Sequence, residues 1–193
     1  MARKKNFDEK EVLEKARNLF WRKGYNATSI QDLVDELGIN RASLYDTWGD
    51  KHQLYLSALK LYRQNASSWL LDEIRSDKPA RQIIESFLNH VVMDVLNDPE
   101  KKGCFVVNST TELANLDNDV LQQVEENRQT VISVLTEIIK EGQVEGEFKS
   151  NREADALARF IFTTVNGLRV IGKCYVTDGE MKDVISISLE ALD

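Results

Sequence analysis

Helix-breaking residues are scarce in this chain, and that scarcity limits what it can fold into more than any other feature. Only two prolines and nine glycines interrupt 193 residues. The long stretches between them are rich in Leu, Glu, Lys, Gln and Ala, which favour helices over sheets. With 42% hydrophobic residues the chain can also bury a core. The composition therefore predicts an all-α protein and argues against a disordered one.

Helix boundaries are predicted from capping boxes, in which a cap oxygen and a Glu or Gln three residues later satisfy free backbone amides. Five pairs fit this pattern: Asp8/Glu11, Thr28/Gln31, Asp50/Gln53, Ser150/Glu153 and Thr177/Glu180. Several glycines and the Asp98-Pro99 pair predict helix ends. Together these signals predict about nine helices, near residues 8–23, 28–37, 40–47, 50–76, 79–97, 103–115, 118–141, 152–174 and 178–192.

Charge is distributed unevenly along the chain. The net charge of −7 alone argues against nucleic-acid binding, because phosphate contacts depend on Lys and Arg. Residues 1–52, however, carry ten Lys and Arg against nine acids. A basic end joined to an acidic body is typical of a DNA-binding head on a regulatory body, and a solvated tail of charges is the alternative.

The segment from residue 28 to residue 51 has the pattern of a helix-turn-helix. It reads TSIQDLVDELGINRASLYDTWGDK: a short helix, a break at Gly38, a second short helix, and the cap of a long one. Leu33 and Leu37 give the first helix an inner face, and Leu44 packs the second against it. We therefore expect a three-helix DNA-binding domain over residues 1–49 and a helical domain over residues 50–193.

Residues 10–60 resemble the DNA-binding domain of the TetR family of bacterial regulators. The matching pattern is LF..KGY.ATS, then I..L....GI, then LY..W..K.QLY, with Trp48 where the family usually has Phe. The resemblance implies a transcriptional regulator and not an enzyme. It further implies a homodimeric repressor, released from a palindromic operator by a small-molecule or reactive inducer that the sequence does not identify.

The resemblance also implies DNA-contacting roles that side-chain chemistry favours. Arg41 can present two donors to guanine, and Ser43 and Thr47 can reach base edges or phosphates. Tyr45 and Lys51 fit phosphate contacts, and a helix N-terminus with hydroxyls can hold another phosphate. For each, an ordinary solvent-facing side chain is the alternative. The expected DNA-binding set is Thr28, Ser29, Arg41, Ala42, Ser43, Tyr45, Thr47 and Lys51.

The C-terminal part matches the family in length, helix count and a loose GCF.VN...EL segment at residues 103–113. We expect its helices to enclose a mainly apolar ligand pocket. The candidate lining is Trp69, Phe87, His90, Cys104, Phe105 and Asn108. Cys104, at a helix N-terminus, is either a reactive sensor thiol or a small buried hydrophobe.

Residues 152–192 form two strongly apolar helices. Part of this surface must face the chain's own core, and the resemblance implies that both helices pair with their twins in a four-helix bundle. The expected dimer contacts are Leu157, Ile161, Val165, Leu168, Met181, Ile185 and Leu189.

Other classes of function find little support in the sequence. Gly167–Lys173 approaches a phosphate-binding loop, but it lies in a helical pattern and lacks the hydroxyl that would hold magnesium. His52 and His90 lack paired metal-ligand spacing, so we expect no metal, cofactor or catalytic residue. The chain has no secretory signal and no 18-residue apolar run, which predicts a cytoplasmic protein without a membrane contact. The remaining alternatives are a regulator without a ligand and a helical NTPase or other enzyme.

Overall fold

The computed structural model describes residues 7–74, 78–174 and 176–193, with only the backbone for residues 67–74. Nine helices and no strand lie in this part of the chain, which confirms the all-α prediction. Within the same ranges, every helix is too short or too polar to cross a membrane. The helices are α1 (Glu9–Lys23), α2 (Ile30–Leu37), α3 (Arg41–Trp48), α4 (Lys51–Ile74), α5 (Ala80–Leu96), α6 (Phe105–Glu112), α7 (Asn118–Val144), α8 (Ala154–Ile171) and α9 (Asp178–Glu190).

Three of the five predicted side-chain caps are present. The Asp8 carboxylate accepts hydrogen bonds from the first amides of α1. Asp50 accepts the Gln53 amide at 2.8 Å at the start of α4. Thr177 and Glu180 form the expected reciprocal capping box at α9. Each cap satisfies donors that would otherwise lack a partner inside the helix.

The other two predicted caps were wrong. Thr28 instead donates its hydroxyl to the Gly24 carbonyl at 2.6 Å, and the box at α2 is formed one residue later by Ser29 and Asp32. Ser150 lies four residues before α8, whose cap position has no side-chain hydrogen bond. The Ser150 amide donates to the Leu192 carbonyl at 3.1 Å, so this residue ties a loop to the end of the chain.

Two apolar cores organise the fold. The first contains α1 to α3, the first half of α4, α6 and the start of α7. The second contains α5, the rest of α7, α8 and α9. Helix α7 joins them, since Val120 and Val124 lie in the first core and Leu135 and Ile139 in the second.

Aromatic rings fix α6 against the N-terminal helices. Tyr55, on α4, makes edge-to-face contacts with Phe20, Tyr25 and Phe105 at ring-centroid distances of 5.1, 5.0 and 5.5 Å. Its buried hydroxyl lies 2.7 Å from the Ser109 hydroxyl on α6. Such ring pairs contribute about 0.5–1.5 kcal/mol each beyond their buried area. Helix α6 is therefore part of the N-terminal packing unit, although it follows α5 in the chain.

Candidate functional site

Helices α2 and α3 are joined by a short turn made of Gly38, Ile39 and Asn40. Gly38 has a φ of +65°, in the left-handed region that favours glycine. Ile39 is buried, and the Asn40 side chain caps α3 by accepting the Ser43 amide at 2.8 Å. With Leu44 fully buried against the core, the turn holds α3 at the surface as the second helix of a helix-turn-helix.

The outer face of α3 carries the residues available to DNA. They are Arg41, Ala42, Ser43, Tyr45 and Asp46. The Arg41 guanidinium lies over the Tyr45 ring, 5.6 Å from its centroid, with a nitrogen 3.4 Å from the hydroxyl. The two side chains thus lie on one edge of α3. There the Arg41 guanidinium, which can bind guanine, and the Tyr45 hydroxyl, which can bind phosphate, are neighbours. The Thr47 hydroxyl oxygen is buried and has no hydrogen-bond partner among the described residues.

Lys51 lies beside this face at the start of α4. Its ammonium is 4.1 Å from the centroid of the Tyr25 ring, a cation–π contact. Burial lowers the pKa of Lys51, and the charges of Glu112 and Asp32 offset only part of that effect. A phosphate beside this ammonium would stabilise its charged form.

The N-terminus of α2 needs one correction. Thr28 is only 1% exposed, so its hydroxyl is a packing element and not the phosphate contact that the sequence suggested. Ser29 is exposed at the cap position, where its hydroxyl donates to Asp32 at 2.6 Å. Asp32 also pairs with Lys23 at 2.7 Å, and the hydrogen bonds from Lys23 and Ser29 lower its pKa.

One cluster of possible metal ligands occurs in the described part of the chain. Ligand atoms of His52, Asp117 and Asp119 lie within 4.8 Å of one another. Asp117 is already engaged, because it caps α7 and lies 2.7 Å from the His52 Nε2 atom. Burial alone would raise the pKa of Asp117, but the Val120 amide and His52 lower it overall. The hydrogen bonds of Asp117 therefore explain this cluster without a metal: it links α4 to α7.

Helix α6 and the loop before it are hydrogen-bonded to α1 and to the segment before α2 at two points. The Glu112 carboxylate accepts the backbone amides of Tyr25 and Asn26 at 3.1 and 2.8 Å. Gly24, with a φ of +81°, leaves room for it, since a Cβ there would lie 2.9 Å from the carboxylate. At the other end of the helix, the Trp21 indole donates to the Gly103 carbonyl at 3.0 Å.

A cavity of about 520 Å³ lies beside this attachment, enclosed by α1, α4, α5, α8 and the loop before α6. Trp21, Tyr62 and Phe87 supply apolar walls, and Arg169 supplies a guanidinium. A smaller cavity of about 40 Å³ shares Tyr62, Ala66, Phe87, Cys104 and Arg169 with it. The volume of the larger cavity suits a small organic ligand.

The structure separates the residues expected to line one pocket. Phe87, His90 and Cys104 line the 520 Å³ cavity. Phe105 and Asn108 instead line a neighbouring cavity of about 420 Å³ between α1 and α6. The side chain of Trp69 lies outside the described residues. Sequence reasoning missed Trp21, Tyr62 and Arg169; an arginine on the inward stripe of α8 was the signal that could have revealed the last of these.

Tyr62, Cys104 and Arg169 come together where the two cavities meet. Burial, with smaller effects from Cys104, raises the pKa of Tyr62 well above its usual value, so its hydroxyl stays protonated. Burial lowers the pKa of Arg169, but Cys104, Tyr62 and Asp94 act in the opposite direction, and the net pKa is raised. Cys104 is 3% exposed and occupies the cap position of α6.

The expected dimer residues also need a correction. Leu157, Ile161, Val165, Leu168, Met181 and Ile185 are buried in the protomer's own core, and Leu189 packs against that core. The solvent-facing stripe of these helices instead contains Phe160, Val170 and Ile187, which are 42, 49 and 64% exposed. Gly167 lies on the same stripe with open space above it.

Comparison with known proteins extends these observations to the whole chain. Residues 12–58 match the family described as "Bacterial regulatory proteins, tetR family", and residues 80–186 match "Tetracyclin repressor-like, C-terminal domain". The HTH-type transcriptional regulator YezE of Bacillus subtilis is 31% identical, with both chains covered fully. The repressor ComR of Escherichia coli is 25% identical, covering 88% of this chain and 81% of that protein.

Solved structures show the same architecture. A cysteine mutant of the TetR family regulator CifR, complexed with 26-bp double-strand operator DNA, superposes with a TM-score of 0.87. It is 25% identical and covers both chains fully. The reduced form of NemR from Escherichia coli, 14% identical, shares the fold with a TM-score of 0.87 over 95% of this chain and 96% of its own. With the helix-turn-helix geometry, these matches show that the chain belongs to the TetR family of transcriptional regulators, which are DNA-binding proteins and not enzymes.

Proposed function

We propose that this chain is a repressor that binds a roughly palindromic operator as a homodimer and leaves the DNA when a small molecule occupies the 520 Å³ cavity. The observation that carries the proposal is the shared position of the loop before α6. Gly103 and Cys104 line the cavity, and the Gly103 carbonyl also accepts the Trp21 indole. A ligand that shifts this loop would therefore shift α1 and the helix-turn-helix.

On the DNA side, α3 would enter the major groove. Arg41 would read guanine, with Ser43 and Ala42 near neighbouring base edges. Thr47 would offer its methyl group there, because its hydroxyl is buried. Ser29, Tyr45 and Lys51 would contact phosphates on either side. Since operator DNA in bacteria lies in the cytoplasm, a cytoplasmic location follows from this proposal.

We place the dimer contact on the exposed stripe of α8 and α9, defined by Phe160, Gly167, Val170 and Ile187. Residues 160, 163, 167 and 170 follow three- and four-residue steps along one face of α8. Gly167 would let a partner helix approach closely, and the large apolar side chains around it would be covered. The buried leucines and isoleucines of the same helices would support this face from within the protomer.

Reaction at Cys104 is a second possible input. Its position at the N-terminus of α6 and its contact with the cavity favour it, since helix amides stabilise a thiolate. The burial of the Cys104 side chain argues against reaction there. A regulator that keeps the DNA-binding helices but responds to no ligand is the remaining alternative.

The direct test is an operator-release assay. The protein is titrated onto labelled fragments from the region upstream of its own gene, and binding is followed by fluorescence anisotropy. We expect nanomolar, salt-dependent binding to one fragment and release by a small molecule that also raises the melting temperature. Binding to no upstream or genomic fragment would refute the DNA-binding role, and operator binding that no cavity ligand reverses would refute induction.

A further inference from the structure

We propose that the ligand of the 520 Å³ cavity is a monoanionic amphiphile, a carboxylate or sulfonate on an aromatic or aliphatic body, and that its anionic group pairs with Arg169. This inference depends on the proposed induction by a cavity ligand and names the chemical class of that ligand.

The first step is the charge of Arg169. This side chain lines both cavities and is largely withdrawn from bulk water. Within the described residues it makes no hydrogen bond and no ion pair. Arginine remains protonated at neutral pH in any environment. A charge held largely away from water is costly, and among the described residues only the charge of Asp94 and the polar groups of Cys104 and Tyr62 offset it, without a direct ion pair. We infer that an anion entering the cavity pairs with it directly.

The second step is the balance of charge around the cavity. The described lining contains four cationic side chains, Arg17, Lys101, Lys102 and Arg169, but only two carboxylates. Both carboxylates already contact other side chains of the same lining. Asp98 pairs with Lys102 at 3.2 Å and accepts three backbone amides of its own loop. The other, Asp94, lies 3.5 Å from His90. The cavity therefore carries an excess of positive charge, which favours an anion.

The third step is the shape of the binding position. The Tyr62 hydroxyl, protonated because of its burial, lies near Arg169 and is hydrogen-bonded to Cys104; it can donate to the same anion in place of that contact. The guanidinium presents a planar fork that matches a carboxylate. From this junction the small cavity continues among Val106, Val131 and Phe162, whereas the large one is walled by Trp21 and Phe87. A flat apolar body therefore fits in the large cavity beside Trp21 and Phe87, and the small cavity of about 40 Å³ has room for only a few further atoms. At this junction a multiply charged phosphate compound would meet the single guanidinium of Arg169.

A matched pair of fluorescent probes tests the charge preference. Anilinonaphthalene sulfonate carries an anion on an aromatic body, and N-phenylnaphthylamine has the same body without the anion. We expect the wild-type dimer to bind the sulfonate at least about tenfold more tightly than the neutral compound, as a charge-assisted contact requires. Equal affinities, or a preference for the neutral compound, would overturn the proposal, and this comparison needs no variant.

Variants then test whether Arg169 causes the preference for the sulfonate. Arg169→Met should lose about tenfold or more in sulfonate affinity while retaining affinity for the neutral probe, and Arg169→Lys should fall between them. Arg128→Met, which removes an exposed arginine of α7, is the matched control and should bind both probes as the wild type does. A sulfonate preference that persists in Arg169→Met would overturn the assignment to this residue.

The same titration separates this inference from the proposed function. If the sulfonate binds through Arg169 but saturation leaves the operator complex intact, the ligand class stands and the induction mechanism fails. If the neutral probe releases the operator and the sulfonate does not, induction stands and the anion assignment fails.

Discussion

Replacing Glu112 tests whether α6 positions the helix-turn-helix. Its carboxylate accepts the backbone amides of Tyr25 and Asn26, and hydrogen bonds to a charged group contribute about 1.5–3 kcal/mol each when buried. The Glu112 side chain is half-buried and Asn26 is exposed, so water can replace at least one of these bonds. We therefore expect Glu112→Ala to lower the free energy of unfolding by about 1–3 kcal/mol. Glu112→Gln, which keeps one acceptor oxygen, should lose less.

Operator binding should change as well, because the segment from Gly24 to Ser29 sets where α2 begins. Urea denaturation measures the stability, and fluorescence anisotropy with operator DNA measures the affinity. Glu137→Ala, an exposed glutamate on α7, is the matched control. If Glu112→Ala matches this control in stability, in operator affinity and in ligand-induced release, then α6 does not hold the DNA-binding helices and the proposed coupling is wrong.

Five further predictions concern the DNA face, the dimer, pH and the thiol. Arg41→Ala should relax base preference at one position of each half-site by about 1–3 kcal/mol. Lys51→Ala should weaken binding to all sequences alike and lower the salt slope by about one unit, in anisotropy titrations at several salt concentrations. Phe160→Glu should shift the protein toward monomer in analytical ultracentrifugation, because a charge would face an apolar seam. Burial would raise the pKa of Asp98, but hydrogen bonds from Lys102 outweigh it and the pKa is lowered. The ionised Asp98 carboxylate therefore stabilises the fold above the unfolded-state pKa, and this stabilisation is lost as pH falls through the folded-state pKa. Asp98→Asn should accordingly lose less stability on acidification than the wild type, as melting curves at several pH values would measure. Cys104→Ser should abolish release of the operator by N-ethylmaleimide if the thiol is an input.

Four of these predictions have a direct contrary result. Unchanged operator selectivity in the Arg41 variant would mean that base readout lies elsewhere. A Phe160→Glu protein that remains dimeric while Leu168→Glu merely unfolds would remove α8 from the interface. If Asp98→Asn and the wild type lose stability equally as pH falls, the Asp98 carboxylate does not contribute to the pH dependence. If Cys104→Ser and Cys174→Ser both respond as wild type does, the Cys104 thiol is only a packing group.

The DNA-binding helices could be predicted closely because local signals agree there. A capped start, Gly38 at the turn and a stripe of buried leucines specify α2 and α3 from neighbours in sequence. The cap itself was placed one residue too early, since Thr28 and Ser29 both fit the spacing. Only the tertiary structure shows that Thr28 donates to the Gly24 carbonyl and leaves Ser29 to cap the helix.

The dimer face and the cavity could not be predicted in the same way. The most apolar stripe of α8 faces the protomer's own core, and the exposed stripe is marked by Phe160 and Gly167, which periodicity alone does not single out. The cavity brings Trp21, Tyr62 and Arg169 together from α1, α4 and α8, so no local pattern joins them. The domain boundary at residues 49 and 50 stays a prediction, because the first core extends through Leu59 and into α6.

The most direct test of the account is a hydroxyl-radical footprint of the protein on the DNA upstream of its own gene. A dimer that reads DNA through α3 should protect two half-sites related by two-fold symmetry, with centres about one helical turn or a multiple of it apart. Arg41→Ala should weaken protection at a guanine in both half-sites equally. A single unpaired protected segment, or protection that Arg41→Ala leaves unchanged, would contradict the claim that a symmetric pair of α3 helices recognises the operator.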